Sequence, residues 1–384
     1  MKKVLIMTSG LTHGGVNRTL LNSLEVMNSR GYKFEIFTLY SYGPYLDMFK
    51  EYDLLTIFEV WGFFRLLNRA VSKNTKIAIA IRRFGDFIVK VIFHLFHSIA
   101  AKSIANALSK LGADVVISFQ EGVTTEIISL VEAKKHIAWV HCDYSRYVDE
   151  THRDESVIYN RYSQIVCVSE YTASVFRSII PLVKDRVVAI HNIMDTTGIK
   201  HLSCVDIRLP YDNDVVNLVS IGRLDPVKRF SFIPGIAKKL KDTNLAFRWY
   251  IIGDGGADKN KVLNNIIEYS VQNEVILLGE IDNPYPYIRN ASALVCLSRS
   301  EACPNVINEA RILHTPIVTT DFPSVKEYII NGKNGLISSI DNIHTTINDL
   351  FHDNKIYESI KNNIKTYNYD NEAIVNEIDS ILSI

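Results

Sequence analysis

The chain has 384 residues, more than one hydrophobic core ordinarily holds, so two domains of roughly 150–200 residues each are predicted. Its 42 basic and 42 acidic side chains balance, which argues against bulk nucleic-acid binding, and 47% apolar with 22% charged residues describe an ordinary soluble globular protein. No apolar run is long enough to span a bilayer, and Met1-Lys2-Lys3 leads straight into Val4-Leu5-Ile6-Met7, too short a run for a secretory signal. Cys142, Cys167, Cys204, Cys296 and Cys303 lack metal-ligand spacing, so no metal site is predicted, and their odd number fits reduced thiols in the cytoplasm.

Val4 to Thr8 reads as a short buried strand. A glycine turn ending in Gly14-Gly15 follows, then a helix with Val16, Leu20, Leu24 and Met27 on one face, closed by Gly31. Lys33 to Leu39 is the next strand, completing a βαβ opening. A nicotinamide-binding unit is disfavoured, because the G-x-G-x-x-G spacing is missing and no acidic residue ends the second strand to hold a ribose. The paired glycines serve either a tight turn or a close approach of backbone to a ligand.

Residues 60 to 110 differ in character. Trp61, Phe63, Phe64, Leu66 and Leu67 alternate with Arg65 and Arg69; Lys73, Lys76, Arg82, Arg83, Lys90, Lys102 and Lys110 follow, and Asp86 is the one acid. Phe87-Ile88 and Val91-Ile92 lead an apolar run to Leu95-Phe96. A basic, aromatic helical region in a neutral chain points to an anionic membrane surface; a helical insertion with apolar core faces is the alternative.

Asp114 to Phe119 and His136 to Val140 are further strands, the second ending at His141-Cys142-Asp143. Ligands of open α/β sheets collect beyond the carboxyl ends of strands, which puts His141 where chemistry would be, although a lone histidine there is more often structural. Ile165 to Glu170 and Val187 to Asn192 complete the first sheet, and the polar stretch from Thr196 to Asp214 reads as a linker. The second domain opens with Val215 to Ile221, followed by Gly222-Arg223-Leu224-Asp225-Pro226-Val227-Lys228. A strand, a glycine and two cations spaced to face one point suit an anion; solvated surface cations are the bland reading. Trp249 to Gly255 is another strand and turn, whose Gly253-Asp254-Gly255 serves either the turn alone or a ligand.

Ala293 to Leu297 then precedes Ser300-Glu301-Ala302-Cys303-Pro304-Asn305-Val306-Ile307-Asn308-Glu309. The spacing of Val306, Ala310 and Leu313 predicts a helix with Cys303 as N-cap and Pro304 at the first helical position, stopped by Thr315-Pro316. Cysteine is a poor cap, so a bound phosphate would suit the first N–H groups at Asn305 and Val306. Glu301 precedes the helix, Glu309 lies inside it, and residues 371 to 384 predict a final amphipathic helix.

Two glutamates seven residues apart, with Pro-Asn-Val between them and Thr-Pro-Ile-Val-Thr-Thr-Asp after, resemble the signature of retaining glycosyltransferases of the family 4 type (group 1), as found in bacterial surface-polysaccharide assembly. Gly222-Arg223-Leu224 with Lys228, Gly253-Asp254-Gly255, and Ser324 to Tyr328 with Asn334-Gly335 extend the likeness. The resemblance implies an α/β GT-B fold, two Rossmann-like doubly wound domains facing across a cleft. It divides the chain into an acceptor-side domain over 1–200 with the basic region at about 60–110, a nucleotide-sugar domain over 214–370, and a terminal helix over 371–384 crossing back to the first.

The resemblance also assigns roles. Glu301 and His141 would be catalytic; Gly15, Arg223, Lys228, Ile281, Asn305, Val306 and Glu309 would bind the donor. Arg223 and Lys228 would hold the diphosphate, the segment at Ile281 the base and Glu309 the ribose, with no metal and no cofactor. The implied activity is retaining transfer of a hexosyl or N-acetylhexosaminyl group from a nucleoside diphosphate, UDP foremost, to a glycan or lipid-linked alcohol, by a cytoplasmic protein peripheral on the inner face of the plasma membrane. A catalytically silent GT-B subunit is the alternative, disfavoured by the retained charge set, and an epimerase or phosphorylase on the same fold is a third. Departures from the pattern are Ile193 in Asn192-Ile193-Met194-Asp195, Ala302 in place of a common glycine, and Arg311-Ile312-Leu313-His314 where small residues are usual, which leaves the shape of the sugar pocket open.

Overall fold

The apolar runs are buried on both faces, as strands of a parallel sheet covered by helices must be. The computed structural model describes residues 2–11, 14–28, 30–40, 45–49, 51–57, 76–212 and 214–383; from 76 to 94 the side chains described are those of 84, 85 and 87–92. The chain divides into two units, Met1–Met194 with Asn371–Ile384, and Asp195–Asp370.

The first unit holds a seven-stranded parallel sheet of β1 (Lys2–Thr8), β2 (Tyr32–Thr38), β3 (Asp53–Thr56), β4 (Val115–Ser118), β5 (Lys135–Val140), β6 (Gln164–Cys167) and β7 (Val187–Ala189). Its order is β3-β2-β1-β4-β5-β6-β7, so the direction of winding reverses between β1 and β4. Val4, Leu5, Met7, Val115, Val116 and Ile137 are fully buried in it. The second unit holds β8 (Val216–Ile221), β9 (Phe247–Ile252), β10 (Val275–Gly279), β11 (Ala293–Cys296), β12 (Ile317–Thr320) and β13 (Leu336–Ser338) in the order β10-β9-β8-β11-β12-β13, with its reversal between β8 and β11. Its core is pinned by the buried Trp249, whose Nε1 donates to Ser220 Oγ at 3.0 Å, while that hydroxyl donates to the Val295 carbonyl at 2.6 Å. Three central strands are thereby joined beneath the end where ligands of such sheets bind.

Several elements differ from the sequence reading. The strand expected over 165–170 stops at Cys167, because Ser169 caps a helix, Glu170–Ile179, in a capping box with Thr172. The strand expected over 187–192 ends at Ala189. The polar stretch after Thr196 begins as a helix, Thr196–Ser203, whose cap is Asp195 accepting from the Gly198 N–H at 2.7 Å. A β-carbon at Gly198 would stand 1.8 Å from the Asp195 carboxylate, so the glycine makes room for the cap.

The last helix, Asn371–Leu382, buries Val375, Ile378, Ile381 and Leu382 in the first unit. Asn371 fastens its start, accepting from the Met194 N–H at 3.1 Å and donating to the Met194 carbonyl at 2.6 Å. Arg30 pairs with Glu372 at 2.6 Å and with Asp379 at 3.5 Å along its length.

Of the basic aromatic region, Trp61 to Lys73 lies outside the described residues. Lys76–Ser109 is helical and bent at Phe96 (φ −135°, ψ 40°). Phe84, Phe87, Val91 and Leu95 recur at helical spacing, and all four are exposed, at 65%, 61%, 39% and 62%. Among the described residues they form an exposed apolar stripe. Among the described residues no helix is long and apolar enough to cross a membrane.

Candidate functional site

In the second unit the loops that leave β8 and β11 flank the point where strand order reverses, the place at which open α/β sheets bind ligands. The loops after β8 and β9 touch backbone to backbone: a β-carbon at Gly253 would stand 2.0 Å from the Gly222 carbonyl oxygen, and one at Gly256 would stand 2.3 Å from that of Leu224. Glycine is required there by packing, so Gly253 needs no ligand to explain it.

From this platform the chain turns through Pro226–Lys228 and presents Lys228 to the loop after β11. Lys228 Nζ donates to Glu301 Oε1 at 2.5 Å, and Ser298 Oγ donates to the same oxygen at 2.5 Å. Ser324 Oγ donates to the Glu301 carbonyl at 2.7 Å, so both the side chain and the backbone of Glu301 are fixed. Burial opposes the charge of Lys228, yet the Glu301 carboxylate outweighs it, and the pKa of the ammonium is raised above its ordinary value. Arg223 is close enough for its charge to oppose that of Lys228, but its side chain is 71% exposed and pairs with Asp225 at 2.8 Å.

The helix that follows is Asn305–Ile312, one residue later than the sequence reading placed its start: Pro304, and not Cys303, is the N-cap, and it offers no side-chain hydrogen bond. Proline lacks the N–H that a first helical turn leaves over, which explains its place at this end. Asn305 and Val306 form the first turn, Glu309 sits half-buried one turn on, and Ile281 follows Gly279 at the end of β10. Arg311 and His314, the departures from the family pattern, serve a local structural task. The Arg311 guanidinium lies 3.9 Å over the Tyr367 ring, and His314 hydrogen-bonds the Tyr367 backbone from a left-handed conformation (φ 59°) in which the helix ends. Both therefore face the segment that leads to the last helix.

In the first unit Gly15 opens the helix Gly15–Asn28. Among the described residues, a β-carbon at Gly14 would meet nothing within 4 Å. His141 stands immediately past β5, its ring 4.7 Å from that of Phe119 and its Nε2 buried with no hydrogen-bond partner among the described residues. Burial pushes its pKa down to about 3, so the imidazole is neutral at physiological pH. Among the described residues no three His, Cys, Asp or Glu side chains converge as metal ligands would.

The structure thus brings Lys228 and Glu301 into contact, a pairing that spacing along the chain did not suggest. Sequence reading missed Glu121 as well. It lies just past β4, and its carboxylate accepts the main-chain N–H of His141. The signal that would have found it is a carboxylate at the carboxyl edge of a central strand.

The model of Glycosyltransferase Family 4 matches residues 13–197, and that of Glycosyl transferases group 1 matches residues 209–367, the stretch with Lys228 and both glutamates. Residues 209–367 belong to the Glycosyl transferases group 1 family. Among curated relatives of this family, an uncharacterized glycosyltransferase of Methanocaldococcus jannaschii is 25% identical over 226 residues, covering 54% of this chain and 55% of that one. The N-acetylgalactosamine-N,N'-diacetylbacillosaminyl-diphospho-undecaprenol 4-alpha-N-acetylgalactosaminyltransferase of Campylobacter jejuni is 30% identical over 153 residues, covering 39% of this chain and 41% of that one. The matches span about half the length of these curated relatives. Anabaena HepE, crystallised with UDP and glucose, superposes with a TM-score of 0.74 at 14% identity, covering 100% of this chain and 99% of that one. That likeness shows the fold, an α/β two-domain GT-B architecture.

Proposed function

We propose that this group 1 glycosyltransferase moves a hexosyl or N-acetylhexosaminyl group, with retention at the anomeric carbon, from a nucleoside diphosphate to an alcohol of a glycan or lipid-linked acceptor. The donor base is uridine foremost, since the structural relative HepE was crystallised with UDP. The observation that carries the reading is the Lys228–Glu301 pair at the point where strand order reverses in the second unit. A surface ion pair needs no such placement, and a silent subunit needs neither charge.

As the bond from the anomeric carbon to phosphate oxygen breaks, negative charge grows on the departing diphosphate. Lys228, Arg223 and the start of the helix Asn305–Ile312 meet that charge. In this account Lys228 leaves Glu301 for the phosphate, and the carboxylate so released faces the positive charge developing at the anomeric carbon while it grips sugar hydroxyls. The acceptor oxygen attacks from the face that the diphosphate leaves, and its proton passes to a phosphate oxygen. Asn305 and Val306 bind the phosphate through their N–H groups, Glu309 the ribose, and the backbone at Ile281 the base. Gly15 allows close approach in the first unit. His141, being neutral, contributes a hydrogen bond to the sugar and no charge.

An anionic membrane surface is the proposed partner of the first unit. The exposed Phe84, Phe87, Val91 and Leu95 support this reading, with exposed Lys90 and Lys102 on the same helical stretch. The Campylobacter relative is named for an undecaprenol-linked substrate, and an acceptor of that kind would be met at such a surface. The setting proposed is therefore the cytoplasmic face of a membrane.

Mass spectrometry of products decides the function, after incubation with a panel of nucleotide sugars and a membrane lipid extract. The reading expects free nucleoside diphosphate and one added hexose or N-acetylhexosamine on the acceptor. Donor epimerised, or untouched by every combination, would refute it.

A further inference from the structure

β4 and β5 are paired in register, Ser118 opposite Ala138, so Glu121 and His141 each lie three residues beyond the last matched pair, level across the sheet edge. The Glu121 carboxylate turns inward across that edge. Its Oε1 accepts the main-chain N–H of His141 and, at 3.0 Å, that of Cys142, and its own N–H and the Cys142 thiol donate to it as well. Burial opposes the negative charge and leaves the carboxyl pKa raised in spite of these donors. An acid in a surface turn would be solvated more cheaply, so this one is held inward by its donors. The next residue, Gly122, adopts φ 89°, and a β-carbon there would stand 3.2 Å from Tyr147 Oη. Glycine thus lets the chain double back with Glu121 facing β5.

We propose that Glu121 is the positioning residue of His141: by gripping the two N–H groups at the end of β5, it sets the direction in which the imidazole presents Nε2. The inference rests on the reading above, in which His141 meets the reacting sugar. Phe119 supports one side of the ring, at 4.7 Å, and Glu121 fixes the backbone that carries it. A neutral imidazole acts on a sugar through the geometry of a hydrogen bond alone, so its orientation governs its worth.

The test compares two variants of the full chain. Glu121→Gln keeps the reach and gives up the charge; Glu121→Asp keeps the charge and is one methylene short. Glu121→Asp should lower kcat about tenfold or more with donor KM within about twofold, whereas Glu121→Gln should hold kcat within about threefold. In a His141→Ala background the Asp change should cost nothing further. The imidazole carbon–proton NMR signal of His141, assigned by its loss in His141→Ala, should shift in the Asp variant and stay in the Gln variant. That spectrum needs no turnover, so a wild type that transfers no sugar would refute the transferase reading while the spectrum still decides the clamp. The proposal is overturned if Gln loses activity and Asp keeps it, if the double variant multiplies the two losses, or if the His141 signal ignores the Asp change. Should the Asp variant not fold, the Gln variant decides alone: a tenfold loss or a shifted signal overturns the clamp, and retention on both counts supports it.

Discussion

Lys228 Nζ stands 2.5 Å from Glu301 Oε1, although the two residues are 73 positions apart. Neither side chain is far into solvent, at 27% and 12% exposure, so each is the chief neutraliser of the other. The pair explains how a cation and a carboxylate assigned to opposite ends of one bond are kept ready in a single place. On the proposed reading, donor entry would exchange one partner of Lys228 for another and leave its charge in use throughout.

Lys228→Ala should lower transfer by roughly 2–4 kcal/mol, about 30- to 1,000-fold, because a desolvated diphosphate loses a charge-assisted partner. It should also lower Tm, since Glu301 then keeps its buried charge with only the Ser298 hydroxyl for support. Arg223→Ala should reduce transfer but leave Tm unchanged, because its side chain is 71% exposed. Initial rates and thermal melts of both variants check this; turnover within about threefold of wild type in both would remove these cations from the leaving group.

The two glutamates should separate kinetically. Glu309→Gln should raise donor KM, since a ribose contact is made equally in ground and transition states, while Glu301→Gln should lower kcat more than it changes KM. Equal and small effects on both constants would mean that the pair is structural.

His141 supplies a pH prediction. Its folded pKa, about 3, lies below the ordinary value of 6.5, so from pH 6.5 downward the unfolded state binds a proton that the folded state refuses. Stability should therefore fall with falling pH across that window. Melts of wild type and His141→Gln between pH 7 and pH 4 measure the difference, and the variant should show the shallower acid limb. Parallel limbs would mean that His141 titrates normally.

Much of this was legible in the sequence. Apolar runs such as Val4 to Met7 and Ala293 to Cys296 announced buried parallel strands, and glycines at 222 and 253 marked the ends of two others. β3, β12 and β13 went unread; β3 and β13 are only partly buried, so no continuous apolar run marks them. The helix Thr196–Ser203 was hidden by polarity, burying only Ile199 and Ser203 and depending on the Asp195 cap. Lys228–Glu301 and Glu121–His141 join residues beyond the ends of different strands, and no local pattern encodes such contacts. Only the rule that ligands gather at carboxyl edges pointed to them.

The stripe on the helix Lys76–Ser109 should bind membranes. Changing the exposed Phe84, Phe87 and Leu95 together to Ser should release the protein from anionic vesicles, because on the proposed reading these side chains would enter the headgroup boundary. Binding of wild type should weaken with salt, since surface charges are screened over about 8–10 Å, and persist in part through apolar burial. Co-sedimentation with anionic and neutral vesicles measures both; unchanged binding by the triple variant would leave the stripe without this role.

The most direct test of the central claim follows the anomeric proton by NMR during turnover of an α-linked UDP-sugar with acceptor in excess EDTA. The account places cations and a helix start where a metal would otherwise meet the diphosphate, and it has the acceptor attack from the departing face. It predicts that the α-linked product appears from the first turnover, with UDP released in step and a rate that EDTA does not lower. A β-linked first product, or turnover abolished by EDTA and restored by a divalent cation, would contradict it.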